Sequence, residues 1–260
     1  MEPDSATFPV NSREASRRLA DVSHAITSCE RCPRLREHCR TVARVRKRAF
    51  RDEVYWGRPV PGFGDPAARL LLVGLAPAAH GANRTGRVFT GDGVGGSGDF
   101  LMSALHRTGF ASIATSQRID DGLQLRDAYI LAAVRCAPPQ NKPTPEEIAR
   151  CQDHLDAEAD ALAHVRVVVA LGKIAFDAWL QRLKRRGVSI APRPQFGHGS
   201  IARFEHAPTL MGCYHPSRQN TNTGKLTPRM MEDVFVKARR LLQQADASRR
   251  EAGQVGASRL

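Results

Sequence analysis

The chain has 260 residues, with 39 Lys and Arg against 26 Asp and Glu, a formal charge of +13 and a pI near 10.2. That length carries one large domain or two small ones. No stretch reaches the apolar length of a membrane span, which sets aside a membrane-spanning protein. The basic excess points to an anionic partner, because clustered Arg and Lys recruit phosphates by releasing counterions. Only six of the 39 basic residues are Lys, so part of that excess could reflect a coding bias towards Arg. The first residues, Met1-Glu-Pro-Asp, have neither the basic nor the apolar region of a leader, so cytosolic residence is expected. Six cysteines in a reducing compartment are poor disulfide candidates, and metal binding or burial must explain them.

Residues 1–11 and 245–260 read as disordered ends, and 12–244 as a single domain, since no linker rich in Gly, Ser or Pro divides it. Ser12 to Ala25 is helix-like and runs into Cys29-x-x-Cys32-Pro33, a chelating pair on a turn. Four continuously apolar runs follow at Leu70–Gly74, Ala128–Val134, Val165–Leu171 and Thr209–Tyr214, as strands covered on both faces read. Helix candidates lie between and after them at Gly98–Thr108, Pro145–Leu162, Lys173–Arg185 and Pro228–Gln243. The second of these opens with Thr144-Pro-Glu-Glu, a capping box with Pro at the first helical position. This alternation predicts an α/β three-layer sandwich, a central and mainly parallel four-stranded sheet flanked by helices. Ligands in such folds bind beyond the carboxyl ends of the strands, at a switch in strand order.

Two loops lie at such ends. The first, Gly74 to Asp92, combines Gly81, Gly86 and Gly91 with the donors His80, Asn83, Arg84 and Arg87, the flat apolar Phe89 and one carboxylate, Asp92. A loop so long and so mixed, placed after a buried strand, is a ligand loop. The second follows Thr209–Tyr214 as His215-Pro216-Ser217. Between them, Gly93-Val-Gly-Gly-Ser-Gly98 leads into a helix whose N-terminal amides could bind a phosphate. Cys136, at a strand end, and Cys151, early in a helix, form the natural partners of Cys29 and Cys32. Four thiolates suit either zinc or an iron–sulfur cluster, and the spacing leaves both open. Cys39 reads as a bystander, and Cys213 as an ordinary buried cysteine.

The wording Gly74-Leu-Ala-Pro-Ala-Ala-His-Gly81, paired with His215-Pro-Ser, resembles the motifs of family 5 of the uracil-DNA glycosylase superfamily over roughly Cys29 to Leu242. The resemblance implies DNA as partner, single or double stranded, with release of uracil and other deaminated bases such as hypoxanthine and xanthine. It also implies a [4Fe-4S] cluster on Cys29, Cys32, Cys136 and Cys151. In this reading Phe89 stacks on the extruded base, with Ala76, His80 and Asn141 as the other base-binding residues. His215 donates a hydrogen bond to the leaving base, and Asp92 orients water or stabilises the cation-like sugar. Ser217, Arg218 and Gln219 contact phosphate or fill the groove; no apolar wedge adjoins the motif, Leu226 being the nearest. Other branches carry an acidic residue where this chain has Leu75 or Ala76, so the catalytic burden falls on Asp92 and on stabilisation of the leaving group. Ala78 and Ala79 replace a bulkier selecting residue, which leaves larger bases unexcluded. The loops hold no Lys but Lys142 and Lys225, so no Schiff-base step is expected. A monomeric enzyme is expected; the competing class is a non-catalytic iron–sulfur protein that binds lesions. A nucleotide hydrolase is disfavoured, because the chain lacks a phosphate-loop Lys-Ser/Thr and a carboxylate cluster for Mg²⁺.

Overall fold

The parallel centre of the sheet is built from the four apolar runs. In the computed structural model, which describes residues 12–257, they become β2 (Leu70–Gly74), β3 (Ala128–Ala132), β4 (Val167–Leu171) and β6 (Ala207–Cys213). Two short strands, β1 (Phe63–Gly64) and β5 (Ile201–Phe204), pair antiparallel at the edges, giving the order β1-β3-β2-β4-β6-β5. The sheet therefore has six strands rather than the four expected. The edge strands escaped the sequence reading because they are short and partly exposed, with no continuous apolar run to mark them. Register is tight in the centre: Leu70 pairs with both Ala128 and Val167, and Leu171 with Cys213.

Eight helices accompany the sheet among the described residues: α1 (Ser12–Thr27), α2 (Pro33–Val45), α3 (Ala82–Thr85), α4 (Ser97–Arg107), α5 (Pro145–Ala161), α6 (Lys173–Arg185), α7 (Arg218–Asn222) and α8 (Pro228–Ala257). Alternate residues of each strand point to opposite faces. Leu70 and Leu72 thus pack towards α4 and α8, through Leu101, Leu105, Val234 and Phe235. Leu71 and Val73 pack towards α1, α5 and α6, through Leu19, Leu155, Phe176 and Trp179. Thr144 caps α5 as its sequence predicts, its side chain accepting from the Glu147 amide while Glu147 returns the bond. The expectation for residues 1–11 lies outside the described residues. At the other end α8 runs on to Ala257, past the boundary expected at residue 244, and an ion pair of Asp246 with Arg69 holds that part of the helix to the start of β2. No described helix is long and apolar enough to cross a membrane.

The chain leaves β2 for β3 on one side and later returns to β4 on the other, so β2 and β4 flank the switch in strand order. The carboxyl ends of β2, β3, β4 and β6 all open to the same edge, where both motif loops stand.

A buried polar network fastens this edge to α5. Arg135, just after β3, is paired with Glu158, at 1% and 0% side-chain exposure. Glu158 also accepts from the Tyr129 hydroxyl and the Gly62 amide, both at 2.9 Å. Replacing one partner alone strands a charge in the core. Glu158→Leu should cost about 3–5 kcal/mol in chemical denaturation, and Arg135→Met added to it should recover part of that loss; equal stability of Glu158→Leu and the parent would refute the account.

Candidate active site

The first motif loop is rigid because its own side chains tie it together. Arg84 is buried: its Nε donates to the His80 carbonyl at 2.9 Å and its Nη2 to the Gly91 carbonyl at 2.8 Å. The same guanidinium pairs with Glu53 and lies 3.9 Å from the centre of the Phe50 ring. Arg87 is spent in the same way, on Asp121 at 2.7 Å and on Thr90 Oγ1 at 2.8 Å. Asn83, fully buried, donates to the Cys39 and Ala79 carbonyls, each at 3.4 Å. These three, read from sequence as ligand donors, are instead the scaffold of the loop.

The scaffold presents Phe89 and Asp92. Phe89 adopts φ +52, unusual for a bulky residue, and its ring covers Gly74, where a Cβ would come within 2.9 Å of Phe89 Cε2. Asp92 packs so closely on Gly81 that a Cβ there would sit 1.9 Å from its Oδ1. Asp92 sits beside the start of α4, within electrostatic reach of the Gly98 amide, and a Cβ at Gly96 would come within 2.8 Å of the Asp92 Cβ. Burial nonetheless pushes Asp92 up to about 6, against the pull of Arg218, Arg84 and that amide.

From the opposite side, β6 delivers His215. Its ring lies 5.8 Å from that of Phe89, tilted by 31°. Burial alone lowers its pKa to about 4, so the imidazole is neutral near pH 7. Asn220 Nδ2 holds the His215 carbonyl at 2.8 Å, and Ser217 caps α7 by accepting from the Asn220 amide at 3.3 Å. Arg218 Nη2 reaches the Asp92 carbonyl at 3.3 Å and so bridges the two loops. From β3, the Gln140-Asn141 turn brings two consecutive non-glycine residues at positive φ, +53 and +58.

Between these elements lies a cavity of about 590 Å³ lined by Ala76, Ala78, Phe89, Asp92, Asn141 and His215, with Ser217, Arg218 and Gln219 at its rim. His80 is the exception among the expected residues: it does not line the cavity, and its Nδ1 meets the Tyr55 hydroxyl at 3.1 Å. The structure adds Leu75, Val88, Ser97, Ala132 and Gln140 to the lining. Of these, only the positive-φ turn at Gln140 departs from ordinary apolar or small-residue wall, and nothing in its residue type announces it. Leu226, 1% exposed, is core and no wedge.

The cysteines gather behind the cavity. Cys32, Cys136 and Cys151 share one buried cluster with Cys39, and Cys29 lies within electrostatic reach of Cys32 and Cys151. Ala76 packs against this cluster and also lines the cavity, so the two sites are neighbours. Among the described residues no three His, Cys, Asp or Glu side chains converge on a single ion. A tetrahedral zinc would need sulfurs about 2.3 Å from one point, whereas a cuboidal cluster binds each thiolate at a separate iron and tolerates wider spacing. Four soft sulfur donors in a largely buried pocket fit such a group. Cys39 donates to the Ala137 carbonyl at 3.6 Å and abuts Cys136, closer to the set than a bystander need be.

Residues 61–239 match the model of the uracil DNA glycosylase superfamily. The chain is similar to a type-5 uracil-DNA glycosylase of Mycobacterium tuberculosis, 49% identical over 224 residues, covering 86% of this chain and 81% of the relative. A type-5 relative from Thermus thermophilus is 51% identical over 216 residues, 83% of this chain and 94% of its own. A type-4 enzyme from Archaeoglobus fulgidus is more distant, 36% identical over 159 residues, 61% of this chain and 70% of its own.

The raised Asp92 pKa has a consequence for stability. A carboxyl group whose folded pKa exceeds its unfolded one binds more protons when folded, so its contribution is lost as pH rises from about 4 to about 6. His215, lowered to about 4, acts in the opposite sense over much of that window. The clean signature is therefore a difference. Asp92→Asn should be more stable than the parent by an amount that grows with pH and levels off above about 6, reaching on the order of 2–3 kcal/mol. A difference independent of pH between 4 and 7 would exclude a buried carboxylate at this position.

Proposed function

The chain belongs to family 5 of the uracil-DNA glycosylase superfamily, and from that premise we propose that its cavity holds an extruded base while the glycosidic bond is hydrolysed. Uracil is removed from DNA, leaving an abasic site, as a first step of repair. The observation that carries the mechanism is the meeting of Asp92, His215, Phe89 and Asn141 around one cavity. Phe89 gives the flat face on which the base stacks, and the Asn141 amide reads its Watson–Crick edge. His215, kept neutral by burial, donates an N–H to the carbonyl on which negative charge develops. Asp92 is largely ionised at neutral pH, yet poorly solvated. A cation-like sugar beside it relieves that desolvation, so the carboxylate favours the transition state over the ground state; it also orients the attacking water.

Ser217 keeps its hydroxyl proton for a phosphate while its oxygen caps α7, and Arg218 and Gln219 fill the space behind the extruded nucleotide. His80 is left out of the base-binding set, being engaged by Tyr55. The alanine wall at Ala76 and Ala78 offers no steric barrier to a purine, and hypoxanthine and xanthine are proposed as further substrates. Neither lysine expected to be remote from the reaction lines the cavity, and Lys225 lies 5.2 Å from the centre of the Tyr214 ring, which supports a monofunctional hydrolase. The protein is proposed to work on DNA in the cytosol as a monomer. Cys29, Cys32, Cys136 and Cys151 would hold a [4Fe-4S] cluster, cross-linking the turn before α2 to β3 and α5. Its role there is structural, since none of the four cysteines lines the cavity.

Purified protein should release free uracil from uracil-containing oligonucleotides. His215→Ala should slow single-turnover release on the order of a hundredfold or more. The rate should rise with pH through an apparent pKa near 6, and that limb should vanish in Asp92→Asn. Lesion binding without release of any base would return the non-catalytic reading. A full rate in Asp92→Asn would make Asp92 a turn residue.

Protein prepared without oxygen should be brown and carry about four iron atoms per chain. Removal of the iron should lower the unfolding temperature. One zinc per chain in colourless protein would overturn the cluster and leave the glycosylase intact.

A further inference from the structure

Arginines surround the cysteines of the proposed cluster site. Arg31 Nε lies 3.5 Å from Cys29 Sγ. Arg150 borders Cys32, and its Nη1 is anchored on the Arg31 carbonyl at 3.3 Å. Arg36 borders Cys136 and Cys39 and is 4% exposed. The neighbouring carboxylates do not cancel this arrangement, because each is also paired with an arginine outside it. Glu30 pairs with Arg36 at 3.3 Å and Arg40 at 2.6 Å, and Asp153 with Arg31 at 3.0 Å and Arg185 at 2.8 Å. Glu147, which also faces Cys32, is held by Arg34 at 2.7 Å.

Arg36 is the member that packing alone explains least. Its guanidinium is buried, yet its carboxylate partner is half-exposed and its one other hydrogen bond goes to the Gly57 carbonyl at 3.1 Å. Burying a guanidinium on such terms is costly unless a further negative group compensates it. Four iron-bound thiolates would supply that negative charge.

We propose that Arg31, Arg36 and Arg150 form a cationic shell around the cysteines that sets the reduction potential of the iron–sulfur cluster; this rests on the cysteine-site reading given above. A cluster on four thiolates is already anionic, and reduction adds one electron without adding a proton. Cations and N–H donors at the sulfurs stabilise the more negative, reduced form most, and so raise the potential. Arg36, 4% exposed, is screened less by salt. Arg31 and Arg150 lie at the surface, and their contribution is screened as salt rises.

The test is a potentiometric titration of full-length protein prepared without oxygen, with an electrode and mediators supplying the electron, read by absorbance and paramagnetic resonance. Iron content is measured on every sample. Arg36→Gln keeps a donor for the Gly57 carbonyl, and Arg40 remains to hold Glu30. It should carry the parent's iron yet be reduced only at a lower potential, with Arg36→Lys between the two. Arg31→Gln should give a smaller downward shift at low salt that fades at high salt. An iron-replete Arg36→Gln at the parent's potential would overturn the shell. Should Arg36→Gln lose its iron, Arg31→Gln decides, and an unshifted potential at low salt overturns the proposal. A parent without iron overturns the cysteine reading and the shell with it.

Discussion

The guanidinium of Arg84 closes the first motif loop on itself, and the rest of the site depends on that closure. It binds the carbonyl of His80 at one end of the loop and that of Gly91 at the other, while Glu53 and Phe50 hold it from behind. A loop of this length would otherwise sample many conformations, at a backbone entropy of about 1–2 kcal/mol per residue to order it. Once closed, it can keep Phe89 at positive φ and press Asp92 against Gly81 without a side chain intervening. The glycine at 81 is required here by close approach rather than by its own φ.

The two titratable groups of the cavity are treated alike by burial and oppositely in sign. Desolvation raises the Asp92 pKa and lowers that of His215, since in each case it disfavours the charged form. The outcome near pH 7 is a neutral imidazole and a poorly solvated carboxylate lining one cavity. That pairing suits a bond that breaks into an anionic base and a cationic sugar. Arg218 and Arg84 oppose the rise at Asp92 and help keep it ionised at neutral pH.

Much of the basic excess is used inside the protein. Arg84, Arg87 and Arg135 are buried in ion pairs; Arg182, Arg185 and Arg186 are matched to Asp153, Asp156 and Asp160 on α5. The basic run at the end of α6 is therefore a salt-bridged helix pair, and net charge overstates the surface left for phosphates. The cysteine pocket draws on the same supply. Through Ala76 it also adjoins the cavity at the strand ends.

The sequence by itself determined the parallel centre of the sheet, because Leu70–Gly74 and its three companions are apolar on both faces and nothing else reads that way. It determined the capped start of α5 and the placing of the two motif loops at strand ends, since each is a local pattern with a local cause. It did not determine β1 and β5, whose pairing is supplied by neighbours rather than by their own residues. Nor did it show that α8 continues past residue 244, where the pairing of Asp246 with Arg69 is a contact across the fold. Within the motif loop, Asn83, Arg84, Arg87 and His80 have the chemistry of ligand contacts, and only the tertiary structure turns them inward. A donor's type is written in the chain, but its direction is set by which carbonyls and carboxylates the fold leaves within reach.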